Sequence, residues 1–108
     1  MTGGGDAAAN PLRGESFLMI GGRERRLRPT FAALVAAEED LGSLFELVER
    51  AGDGKLRLSE MSALFWHCLA DRSGIGREDV GAAVVEQGLA ASAPALRSIL
   101  KQVLQGLH

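Results

Sequence analysis

Apolar residues follow two different rhythms along this chain. Ser16-Phe17-Leu18-Met19-Ile20 and Arg23-Glu24-Arg25-Arg26-Leu27-Arg28 flank Gly21-Gly22, the pattern of two antiparallel strands joined by a two-residue turn that needs positive φ. Pairing about that turn sets Leu18, Ile20 and Leu27 on one face and Phe17, Met19, Arg26 and Arg28 on the other. The first strand is therefore apolar on both sides. An isolated hairpin is marginal in water, so this one is expected to lie on the rest of the fold and to offer an edge to a further strand, from this chain or another subunit.

From Pro29 onward the spacing becomes helical. Pro29 has no N–H for a strand ladder, and Thr30 is placed to cap a helix over 31–41 that turns Phe31, Leu34, Val35 and Leu41 to the core. Gly42 stops it. Ser43 with Glu46 three residues later forms a reciprocal capping signal for a helix to about residue 50, with Leu44, Leu47, Val48 and Ala51 as its apolar stripe. After Gly52-Asp53-Gly54, the alternation in Lys55-Leu56-Arg57-Leu58 predicts a very short strand. Ser59 then caps a core helix carrying Met61, Leu64, Phe65, Cys68 and Leu69. A weaker helix over 77–87, with Gly81 inside it, presents Val80, Ala83 and Val84. Ser92 caps the last helix, Pro94 lies in its first turn, and Leu96, Ile99, Leu100, Val103, Leu104 and Leu107 form its long stripe. The fold class expected is mainly α, a small bundle of about five helices with an N-terminal β-hairpin.

Length and composition narrow the picture. A chain of 108 residues with 46% hydrophobic and 24% charged side chains has room for one core and enough apolar material to build it. Residues 1–10 are Gly- and Ala-rich and read as a flexible leader without the features of a signal peptide; residues 11–108 read as one helical domain with the hairpin over 15–28. No apolar run approaches the roughly 20 residues that span a bilayer. A single cysteine, Cys68, leaves no internal disulfide, which makes a cytoplasmic setting the default. The net charge of −2 argues against nucleic acid as the main partner.

Candidate chemistry is sparse. Asp53-Gly54-Lys55-Leu56-Arg57-Leu58-Ser59-Glu60 matches the second half of a calcium-binding loop, but the register puts Glu49 and Ala51 at its first and third ligand positions. A helix-breaking turn is the preferred reading, with an EF-hand-like calcium-responsive module as an alternative. Arg23, Arg25, Arg26 and Arg28 suit either a solvated strand edge or, as a second alternative, a small nucleic-acid-binding regulator. His67 and Cys68 are neighbours on a helix and point about 100° apart, so Cys68 reads as a core thiol. Glu38, Glu39 and Asp40 read as a solvated acidic face. Trp66 lies off its helix's stripe, so it either covers a second contact within the chain or faces a partner. No catalytic residue, metal or cofactor is assigned. The candidate partner interface is Phe17, Met19, Arg26, Arg28, Trp66, Leu100 and Leu104.

The order of short words along the chain adds a resemblance. Asn10-Pro11-Leu12-Arg13-Gly14-Glu15, the Gly-turn hairpin, Leu27-Arg28-Pro29-Thr30-Phe31-Ala32-Ala33-Leu34, the acidic helix ending Leu41-Gly42, Gly54-Lys55-Leu56 and Gly88-Leu89 together resemble the gene transfer agent tail protein family. The resemblance implies a small product of a phage-like tail gene cluster, either a tail tube protein or a tail assembly chaperone. It further implies other tail proteins (tape measure or tube protein) as partners, association with itself or with the particle, and no catalytic residues to carry over. Because a tube protomer normally builds its ring by sheet pairing, one hairpin among five helices favours the chaperone-like role.

Overall fold

The computed structural model describes residues 15–105, so the expected leader and Leu107 lie outside the described residues. Strand β1 (Ser16–Ile20) and strand β2 (Arg23–Leu27) pair antiparallel in the expected register, Ser16 opposite Leu27 and Ile20 opposite Arg23. Gly21 and Gly22 have φ of 61° and 79°, values that a side chain would strain at both turn positions. Five helices follow among the described residues: α1 (Phe31–Leu41), α2 (Leu44–Gly52), α3 (Leu58–Cys68), α4 (Arg77–Gln87) and α5 (Leu89–Gln105). The expected class, mainly α with an N-terminal hairpin, is the class found.

Helix α3 is the central element, packed between α1 and α4, while β1 lies on α4 and α5, and α5 also meets α2. Its apolar stripe supplies Leu64, Phe65 and Cys68, none with exposed surface, against Leu27 from the hairpin, Val80 and Val84 from α4 and Ile99 from α5. The further strand pairing expected of the hairpin is met within the chain. Leu27 forms an antiparallel bridge with Leu69, flanked by Arg28 N–H to the Cys68 carbonyl at 2.6 Å and Ala70 N–H to the Arg26 carbonyl at 2.9 Å. This covers the Leu27 end of the outer edge of β2.

Helix starts follow local chemistry. The Thr30 hydroxyl accepts from Ala33 N–H at 3.1 Å, the Ser43 hydroxyl from Glu46 N–H at 3.4 Å, and Asp79 from Gly76 N–H at 2.8 Å. Each occupies one of the backbone donors that a helix leaves open at its N-terminus. Gly81 has a packing role inside α4, because a Cβ there would stand 3.2 Å from Ser62 Oγ on α3. A methyl group there would require Ser62 to give way by a few tenths of an ångström.

Four expectations are corrected. In α1, Phe31 is 84% and Val35 38% exposed, while Ala37 is fully buried and Leu34 and Leu41 are partly buried. Small alanines face α3 and bring the helices together, which turns the larger side chains outward. Residues 55–57 form no strand; α3 begins at Leu58, with the Glu60 carboxylate accepting from Arg57 N–H at 3.0 Å, so Ser59 is inside the helix rather than its cap. Helix α5 begins at Leu89, so Ser92 is a fully buried helix residue and not a cap. Pro94 therefore falls in the second turn, where it cannot donate the helical hydrogen bond to the carbonyl of Ala90, an exposed residue. Finally, Asp40 is not part of a merely solvated face, as described below.

These placements separate two phenylalanines that sequence alone treats alike. Phe65→Ala is expected to cost about 3–5 kcal/mol of unfolding free energy, whereas Phe31→Ser is expected to stay within about 0.5 kcal/mol. Urea titration followed by circular dichroism checks both, and equal costs would contradict the orientation of α1.

Candidate functional site

The sequence-derived interface residues fall on three surfaces. Leu100 and Leu104 belong to an open groove of about 560 Å³ between α2 and α5, with Val48 and Ala51 on one wall and Ala93, Leu96, Leu100 and Leu104 on the other. Leu104 is 55% exposed. Arg97 and Lys101 line the same groove. The α5 stripe is wide enough to serve two neighbours: Ala95 and Ile99 are buried in the core, and the residues one step around the helix line the groove.

Phe17, Met19, Arg26 and Arg28 share the outward face of the hairpin, with Phe17 directly opposite Arg26. Phe17 is half-buried and Met19 exposed, and the Met19 carbonyl accepts from the Gln87 side chain. The arginines are committed within the chain. Arg28 Nε donates to Glu15 Oε2 at 3.2 Å, and Arg26 Nη1 lies 4.0 Å from Glu15 Oε1. Glu15 is buried, so the two guanidinium groups supply the positive charge that its carboxylate needs away from water.

Trp66 sits apart from both and is held by its own chain. Its indole N–H donates to the Ile75 carbonyl at 2.8 Å, and the guanidinium groups of Arg72 and Arg77 lie 4.8 and 4.9 Å from its ring centre. The His67 ring meets it edge-on at 5.1 Å. Asp40 joins this cluster, 3.0 Å from His67 Nε2 and 2.6 Å from Arg77 Nη1. The hydrogen bond from His67, with the charge of Arg77 added, holds the Asp40 carboxyl below its usual range. Residues 40, 67 and 77 come from three helices, so no local motif could announce the cluster.

The chemistry of the remaining candidates is settled by their surroundings. Cys68 is buried and its thiol is pushed up to about 12 by desolvation, which removes the thiolate that a nucleophile needs. Both oxygens of Glu60, the residue that would close a calcium loop, face Arg50 at 2.6 Å each. Among the described residues, no group of three or more His, Cys, Asp or Glu side chains is placed to hold a metal ion.

Sequence reasoning did not foresee the exposed apolar side chains Phe31, Phe45, Val85 and Leu89, at 84%, 69%, 62% and 57%. Phe45 was detectable, since it lies off the stripe of Leu44, Leu47 and Val48. None of the described helices is long and apolar enough to cross a membrane.

The fold is a helical body with several exposed apolar side chains and an open, largely apolar groove. The chain belongs to the family described as phage tail tube protein, GTA-gp10, whose model matches residues 13–106. It is thus a protein of a phage or gene transfer agent tail family, a structural family that is generally non-enzymatic. No curated protein and no solved structure matches the chain.

The ion pair of Arg50 and Glu60 generates a prediction in acid. Hydrogen bonding to Arg50, reinforced by Arg57 N–H, holds the Glu60 carboxyl at about 2, below its usual 4.5. A depressed folded-state value means that the stabilisation is complete above the unfolded value and is lost as pH falls through the folded one. Glu60→Gln should therefore lower Tm by a few degrees at pH 7. The two melting temperatures should converge as pH falls from about 5 towards about 2.5. Differential scanning fluorimetry across that range checks it, and a constant gap would refute it.

Proposed function

We propose that this chain is a tail morphogenesis protein that works through protein–protein contacts, as a tail assembly chaperone that shields a long helical tape-measure protein while the tail is built. One observation carries the reading. Among the described residues the sheet has two strands, and the Leu27 end of the outer edge of β2 is already covered by the bridge to Leu69, on a body of five helices. A ring made by sheet pairing needs strands with open edges on both sides of the protomer. A helical body with exposed apolar side chains instead suits a helical client, which lays its own apolar face against such a surface.

On this reading the hairpin provides the first contact with the client, through Phe17 and Met19, with Arg26 and Arg28 beside them. Trp66 braces the neighbouring body. No catalysis is required, and the protein works in the cytoplasm before the tail is complete.

Co-expression with the long helical tail protein is expected to yield a complex that survives affinity purification. Met19→Asp, an exposed change that leaves folding intact, should reduce recovery of the complex at least several-fold. Absence of the tape measure from the purified material would defeat the chaperone role.

A further inference from the structure

We propose that the groove between α2 and α5 receives helix α1 of a second copy of this chain, so that protomers join head to tail. The two surfaces lie on different helices of one protomer and complement each other in shape, polarity and charge.

The donor surface is the outward side of α1. Phe31, Val35 and Glu39 follow one another at four-residue spacing and form a single ridge. Phe31 is 84% exposed, although it stands on a helix that gives alanines to its own core. The packing of α1 against α3 makes no use of this side chain. Glu39, which ends the ridge, has no ion-pair partner among the described residues.

The acceptor surface repeats that spacing. Leu96, Leu100 and Leu104 run along the α5 wall of the groove, each four residues from the last. Ridges with this spacing on two helices interdigitate in the commonest mode of helix packing. Arg97 and Lys101 beside them have no carboxylate partner among the described residues. An incoming ridge of two apolar side chains and one acid therefore meets leucines and two uncommitted cations. A purely apolar helix would leave those cations unanswered, and a basic one would be repelled.

Because α1 of one copy enters the groove of the next, the contact is heterologous. It leaves one α1 and one groove free at the ends of any open assembly, and it propagates until a ring closes. The inference does not depend on the chaperone role, since client binding is tested through Met19 on a different surface; either can fail alone.

Sedimentation velocity of the full chain over about a hundredfold range of concentration is the first measurement, with association beyond a monomer expected as concentration rises. Phe31→Asp and Leu104→Asp change exposed positions, so both variants should fold, as melting curves will verify, and each should be monomeric. Mixed in equal amounts they should form a dimer and nothing larger, because each supplies the surface that the other lacks. Glu39→Arg should weaken association, and Arg97→Glu in the same chain should restore it. A wild type that stays monomeric, variants that associate as the wild type does, or two monomeric variants that fail to dimerise when mixed would each overturn the proposal. So would a monomeric wild type whose groove captures the tape-measure protein instead.

Discussion

The bridge between Leu27 and Leu69 is the contact on which the rest of this structure rests. Two strands of five residues cannot hold themselves together in water, yet here β2 is flanked on one side by β1 and on the other by the chain leaving α3. Leu27 has no exposed surface, and the same short stretch of backbone that pairs with it belongs to the end of the helix carrying Phe65 and Cys68. Sheet and core are thereby fixed by one junction. Pro29 and the Thr30 cap follow directly, so the position of β2 also sets where α1 begins. Loosening this bridge would free the hairpin, expose Leu18 and Ile20, and release the entry to the first helix together.

Much of the architecture was legible because each element carries its own punctuation. Gly21-Gly22 between alternating segments defines a hairpin whatever it packs on, and Thr30, Ser43, Gly42 and Gly88 bound helices through backbone chemistry that is local. Stripes on α3 and α4 were read correctly in their largest residues, since Leu64, Phe65 and Cys68 on the one and Val80 and Val84 on the other have no exposed surface. Helix α1 offers no such contrast. Its first seven residues, Phe-Ala-Ala-Leu-Val-Ala-Ala, are apolar all round, so its inward side is chosen by the distance to α3 rather than by polarity, and a close neighbour selects alanine. The supposed strand at Lys55 fails for a related reason: four alternating residues also describe an extended approach to a helix, and the Glu60 carboxylate places the helix start earlier.

The candidate surfaces divide along the same line. Leu100 and Leu104 were visible because the α5 stripe is wider than one interface with the core can absorb, and Met19 because a strand apolar on both sides must present one side outward. Trp66 was correctly placed off its stripe, but its hydrogen bond to Ile75 and its two arginines depend on a loop and a helix that no pattern in α3 predicts. Asp40, His67 and Arg77 are likewise brought together only by packing.

Charge is where composition misleads most. A net charge of −2 suggests a surface with little electrostatic character, yet the total conceals which charges are already answered. Arg28 is committed to Glu15, Arg50 to Glu60 and Arg77 to Asp40, pairs that fix elements of this chain against one another and are therefore withdrawn from recognition. Arg97, Lys101 and Glu39 are among the charges with no ion-pair partner in the described residues, and they stand beside the exposed apolar ridges. A charge next to an apolar ridge adds orientation to a contact that hydrophobic burial alone would leave free to slide. On the proposed head-to-tail contact, apolar ridges edged by opposite charges on two faces would hold neighbouring copies in a single register.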